Sequence, residues 1–102
     1  MWFGVSILMR GESRHRPSSD WLWEETIVLV EAESEEAAAA MAAARGRAAE
    51  CSFATGSGET VHWIFNRVAQ TCPIDGEPVS GTEVFSRHLR AAEVASLLSP
   101  LD

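Results

Sequence analysis

Three histidines, two cysteines and fifteen acids are the groups in this 102-residue chain that could do chemistry, and spacing decides whether they can. A hydrolytic set can be drawn from Ser86, His62 or His88, and Glu25. No serine lies in a G-x-S-x-G turn, the strained strand-to-helix turn that exposes a nucleophile. Ser86 and His88 stand two apart on a strand, roughly 7 Å, too far for direct proton transfer. Gly56-Ser57-Gly58 has the composition of a phosphate cradle, but neither a GK[ST] nor a helix follows it, so Thr55–Glu59 reads as a hairpin turn. Cys51 and Cys72 have no histidine at metal-ligand spacing and cannot make a structural zinc site. The hairpin would set Cys51 opposite Trp63, with Cys72 nine residues further on, about 30 Å at strand rise. A disulfide needs Cα atoms within about 7 Å. The expectation is two free thiols, no catalytic residue, no metal and no cofactor: not an enzyme.

Two groups of residues suit binding better than catalysis. Arg87, flanked by Glu83 and Ser86, could present its planar fork to a carboxylate or phosphate. The structural alternative is a Glu–Arg pair across neighbouring strands, with Arg67 and Arg87 on the basic side and Glu24 or Glu25 on the other. The exposure of Arg87 separates the two readings. The second group is Trp21, Trp23, Glu24 and Glu25. Two tryptophans on one strand face beside carboxylates are either core or an aromatic strip rimmed by charge, the composition of an interface anchor.

The charge is uneven along the chain. Fifteen acids against eight bases give −7. Between Pro17 and Ala44 lie Asp20, Glu24, Glu25, Glu31, Glu33, Glu35 and Glu36 with no base, and the remainder is neutral. Just before this stretch Arg10, Arg14 and Arg16 cluster with His15. An acidic domain repels phosphate backbones, which argues against nucleic acid as a partner, and three arginines in one loop do not reverse that. All eight bases are arginine, and there are fifteen alanines and no tyrosine, the bias of a GC-rich bacterial genome.

One domain, residues 1–102, has to position these groups. The hydrophobic fraction of 46% and charged fraction of 23% are those of a globular chain. Trp2–Arg10 alternates as a strand, with Phe3, Val5, Ile7 and Met9 on one face. A polar loop follows to Asp20. Leu22–Ala32 is a second strand whose Ile27-Val28-Leu29-Val30 centre, apolar on both faces, predicts a central position. Ser34 caps a helix with Glu35 and Glu36 in its first turn and only Ala or Met from Ala37 to Ala44; Gly46 is expected to stop it. Cys51–Ala54 and Thr60–Val68 form a hairpin, with Val61, Trp63 and Phe65 on one face. A long loop leads to a last strand, Thr82–Arg90, and a short helix, Ala91–Leu98, with Val94, Leu97 and Leu98 on one side. The order β-β-α-β-β-β-α predicts an α+β fold: one antiparallel sheet with a longer Ala-rich helix and a short C-terminal helix packed on it. No leader or ~20-residue apolar span is apparent, so the expected location is the cytoplasm, away from membranes.

The segments WFGVSIL, WEETIVLVEAESEEAA, GETVHWIF and GTEVFSRHLRAAEVASLL, in this order, resemble the bacterial domain of unknown function 4288 family. The resemblance implies a single-domain bacterial cytoplasmic protein in which Trp23-Glu24-Glu25 and Glu83 with Ser86-Arg87 are recurring polar positions. It brings no activity or cofactor. Taken together, the residues suggest a non-catalytic module that binds another protein, in its concrete form an immunity- or antitoxin-like inhibitor of a basic target. The alternatives are an anionic-ligand site at Arg87 and a structural homodimer.

Overall fold

Strand β1 (Trp2–Glu12) is the centre of the protein, and its alternation is what places it there. Phe3, Val5, Ile7 and Met9 share one face and are at most 3% exposed. Burying side chains of this size contributes about 1.5–3 kcal/mol each, so this strand supplies much of the core. In the computed structural model, which describes residues 1–99, β1 is flanked on both sides by antiparallel strands. β2 (Trp23–Glu31) lies on one side and β4 (Thr60–Ile74) on the other, with β3 (Cys51–Ala54) beyond β4, giving the order β2-β1-β4-β3. Helix α1 (Glu35–Ala48) covers the face that carries Phe3 and Val5, and α2 (Ala91–Leu98) follows near the end of the chain. The fold is α+β.

Local chemistry explains α1. The Ser34 hydroxyl accepts the Ala37 N–H at 3.1 Å, and Glu35 and Glu36 sit in the first turn, where the helix dipole favours negative charge. Ala38, Ala42 and Gly46 form the buried stripe, while Met41 points to solvent. Gly46 does not stop the helix, which runs on to Ala48. Its role is close approach. A Cβ there would overlap the Phe65 ring and stand 3.2 Å from the Ile7 methyl.

Four sequence expectations change in three dimensions. β2 is an edge strand and not a central one, and Ile27 and Leu29 are exposed. Its apolar centre reports side chains on two faces, whereas centrality is a matter of lateral backbone pairing. β4 continues to Ile74 where a loop was expected. Register shifts between Ser6 and Ile7 and between Leu8 and Met9 leave Ala69 and Asn66 of β4 as extra residues, and each bulge breaks the period-2 pattern. Pro73 fits within this strand. Ala32 N–H bonds Met1 O and Gly11 N–H bonds Leu22 O, so Phe3 turns its backbone groups to β2. Pro73, opposite Phe3, therefore presents its missing donor to the open side of β4.

The third change concerns Thr82–Arg90, which joins no ladder. It passes over the face of the sheet opposite α1, so closely that a Cβ on Gly4 would collide with the Val84 carbonyl. Side chains hold it: the Ser86 carbonyl accepts Gln70 Nε2 at 3.2 Å and the Cys72 thiol at 3.7 Å. The fourth is α2, which has the expected bounds but buries none of its residues; Val94, Leu97 and Leu98 face outward.

Candidate functional site

The polar end of the sheet is built by the loop between β1 and β2. Arg10 and Glu12, two apart on β1, form an ion pair of 2.6 Å. The Arg10 guanidinium also lies 5.8 Å from the ring centroids of both Trp21 and Trp23, within cation–π range. Trp21 is not a strand residue. It follows a 3-10 turn over Ser18–Asp20, and its indole N–H donates to the Ser13 and Arg16 carbonyls. The loop is tied to the hairpin by Glu59, a buried carboxylate that accepts the Ser13 hydroxyl at 2.5 Å and Arg16 Nε at 3.0 and 3.1 Å. The Ser13 hydrogen bond, with Arg16 and His15 adding to it, holds the Glu59 pKa below the ordinary carboxyl range against the opposing effect of burial.

Ser13, Arg16 and Glu59 border a cleft of about 180 Å³ whose walls include Trp21, Trp63, Phe53 and Val61. Small-molecule sites occupy about 300–1,000 Å³, whereas a dry cavity of about 150 Å³ holds one benzene ring. The cleft has room for a single ring or branched side chain, which is the scale of an interface anchor.

Glu25 is the most committed of the sequence candidates. Its Oε2 accepts the Ser6 hydroxyl at 2.6 Å and Arg87 Nη1 at 2.7 Å. Ser6 is fully buried under the strap formed by residues 82–90, so this carboxylate joins β1, β2 and the strap. The Arg–Glu pair is therefore present, but it joins β2 to a non-strand segment and not to a neighbouring strand. Arg87 borders a shallow hollow with Gln70, Ser86 and His88. The Arg67 guanidinium instead turns to Asn66.

The remaining candidates spread along β2 and the strap. Trp23 is 50% exposed, and Ile27 and Leu29, at 44% and 48%, continue the strip on the same face. Glu24 points to the other face, is exposed and accepts the Thr26 hydroxyl. Glu83 is exposed, and Ser86 contributes its carbonyl to the packing just described. The proposed set thus divides. Trp21 and Trp23 meet around Arg10, and Glu25 meets Arg87, while Glu83 joins neither group.

The hydrolytic drawing separates as well. His62 Nδ1 pairs with Ser52 Oγ at 2.7 Å across the β3–β4 ladder, while Glu25 is engaged with Ser6 and Arg87. The Ser52–His62 contact was legible only through register, since Cys51 opposite Trp63 sets Ser52 opposite His62. Glu59 was missed: nothing in the sequence pairs it with Ser13, 46 residues away. Both cysteines are free. Among the described residues no group of three or more His, Cys, Asp or Glu side chains is placed to hold a metal ion. No helix among them is long and apolar enough to cross a membrane.

The class is thus a small α+β domain with a curled four-stranded antiparallel sheet, one face under a helix and the other under an irregular strap. A family model described as Domain of unknown function (DUF4288) matches residues 2–86, and the chain belongs to that family. The match takes in the whole sheet and α1 and ends before Arg87 and α2. No curated protein and no solved structure matches the chain.

Proposed function

We propose that this protein is a non-catalytic interaction module that binds another protein through the β2 side of its sheet. The observation that carries this reading is the strip Trp23, Ile27 and Leu29, large apolar side chains about half exposed on an edge strand and interleaved with Glu24, Glu25 and Glu31. Apolar anchors inside a charged border are the anatomy of a protein interface. The acids favour a basic partner and speed its encounter, which fits an inhibitor of the immunity or antitoxin kind. The anionic-ligand alternative is weakened because the Arg87 guanidinium already serves Glu25. A homodimer through β2 would bring together two strands that each carry three glutamates.

The test is capture of the partner from host lysate at low and high salt by the wild type and by the triple variant Glu24→Gln, Glu31→Gln, Glu33→Gln. Glu25 is left in place because it holds the strap. The expected result is one stoichiometric basic protein, released by salt and lost by the variant while its thermal unfolding is unchanged. Equal capture by both proteins would sink the reading.

A further inference from the structure

The backbone of β2 says more about how such a partner would bind. Ala32 N–H donates to Met1 O, and Gly11 N–H donates to Leu22 O. Between these bonds the register is unbroken, from Trp2 opposite Glu31 to Arg10 opposite Trp23. In an antiparallel ladder alternate residues turn both backbone groups to the same neighbour. Glu24, Thr26, Val28 and Val30 therefore face β1, while Trp23, Glu25, Ile27, Leu29 and Glu31 hold N–H and C=O outward. Among the described residues no backbone bond reaches these outward groups. Protected edges are short, bulged, covered, or carry proline or charged side chains, lysine above all. β2 is nine residues long, has no register shift against β1 and contains no lysine or proline; its charges are three glutamates, which repel an acidic edge and admit a basic one.

We infer that the free edge of β2 takes an extended segment of a basic partner protein as a fifth strand of the sheet. The inference rests on the protein-binding reading above and names its mode. Charge selects the occupant. Ile27 and Leu29 call for apolar residues at the middle of the added strand, and Glu24 and Glu31, which have no cationic partner among the described residues, call for lysine or arginine toward its ends. A second copy of β2 fits less well. It brings three further glutamates and no cation to an edge that already carries three, and like charges gathered across a pair destabilise it. Strand addition would supply affinity through main-chain bonds and selectivity through alternate side chains.

The probe is a capped peptide, Lys-Lys-Thr-Val-Thr-Val-Thr-Lys-Lys, titrated into the full chain at low salt and followed by amide hydrogen exchange. Exchange at Trp23, Glu25, Ile27, Leu29 and Glu31 should slow by about tenfold or more, with no change at Thr26, Val28 and Val30, which are already bonded to β1. Methylating the peptide amides that face β2 keeps its charge but removes donors, and should weaken binding by about tenfold for two lost bonds. Ile27→Pro, which removes an outward donor and leaves the β1 ladder intact, should have the same effect. Salt-sensitive binding without protection of those five amides, or with no loss on methylation, overturns strand addition while the acidic-surface reading stands. Failure of the peptide to bind also overturns it, and the lysate comparison then judges the broader reading separately. A free protein that is already a dimer with the same amides protected overturns the choice of occupant.

Discussion

The two faces of the sheet are made from the same strands but are covered in different ways. Under α1, side chains from three strands meet a stripe of alanine and glycine, and β1 contributes Phe3, Val5, Ile7 and Met9, all buried. On the opposite face β1 offers Gly4 and Ser6, which are small, and the strap lies against them without backbone pairing. The first face is closed by packing. The second is held by a few polar contacts around Gln70, Cys72, Glu25 and Arg87, and it leaves Trp23, Ile27 and Leu29 uncovered. Packing is concentrated on one side of the sheet, and the other side keeps large apolar side chains exposed.

This contrast can be broken by mutation, most severely at its packed side. Phe3→Ala should cost about 3–5 kcal/mol, the range for truncating a buried aromatic, read as a lower urea midpoint. A loss under 1 kcal/mol would mean that α1 does not seal the core. Gly4→Ala comes next, at about 1–3 kcal/mol for overpacking. Because the collision is with the Val84 backbone, the strap must lift, and trypsin should cut after Arg87 or Arg90 faster than in the wild type. Unchanged cleavage would show that the strap does not depend on that contact.

Glu59→Gln sharpens the comparison at the rim of the packed side. The folded-state pKa of Glu59 lies below its unfolded value. Its ionised form therefore adds stability above the ordinary carboxyl range, and that stability is lost as pH falls through the depressed value. The variant should lose stability less steeply with falling pH in that window. An unchanged acid limb in a pH series of urea melts would contradict this. The smallest effect is expected on the open side, where Ile27→Ser should change stability by no more than about 0.5 kcal/mol while weakening partner capture. A cost near that of Phe3→Ala would show that the strip is covered in the free protein.

How much of this was readable before the fold was known differs from residue to residue. The Ser34 cap, the alternation of β1 and the Thr55–Glu59 turn are local patterns, and each produced the element expected of it. The hairpin also placed Cys51 opposite Trp63 correctly, because a turn fixes register nearby. Of the candidate site, Trp23 and Glu24 were legible as an aromatic and acidic segment. The residues alone leave open whether the tryptophan belongs to the core or to an exposed strip, and only the fold shows Trp23 half exposed. The Glu25–Arg87 pair was among the Glu–Arg pairs expected, though its setting on a strap and not a neighbouring strand was not. The Glu59–Ser13 pair spans 46 residues, and no local pattern reports a contact at that range.

By itself, then, the sequence determined the kind and most of the limits of the elements, since helix caps, turn residues and period-2 alternation act within a few positions along the chain. Tertiary structure alone decided that β1 is central and β2 an edge, that β4 runs through two bulges to Ile74, and that the segment after Thr82 becomes a strap and not a strand. Side-chain alternation records which faces are apolar. Lateral position in a sheet is set by backbone N–H and C=O groups, which are the same at nearly every residue and leave no mark in the sequence.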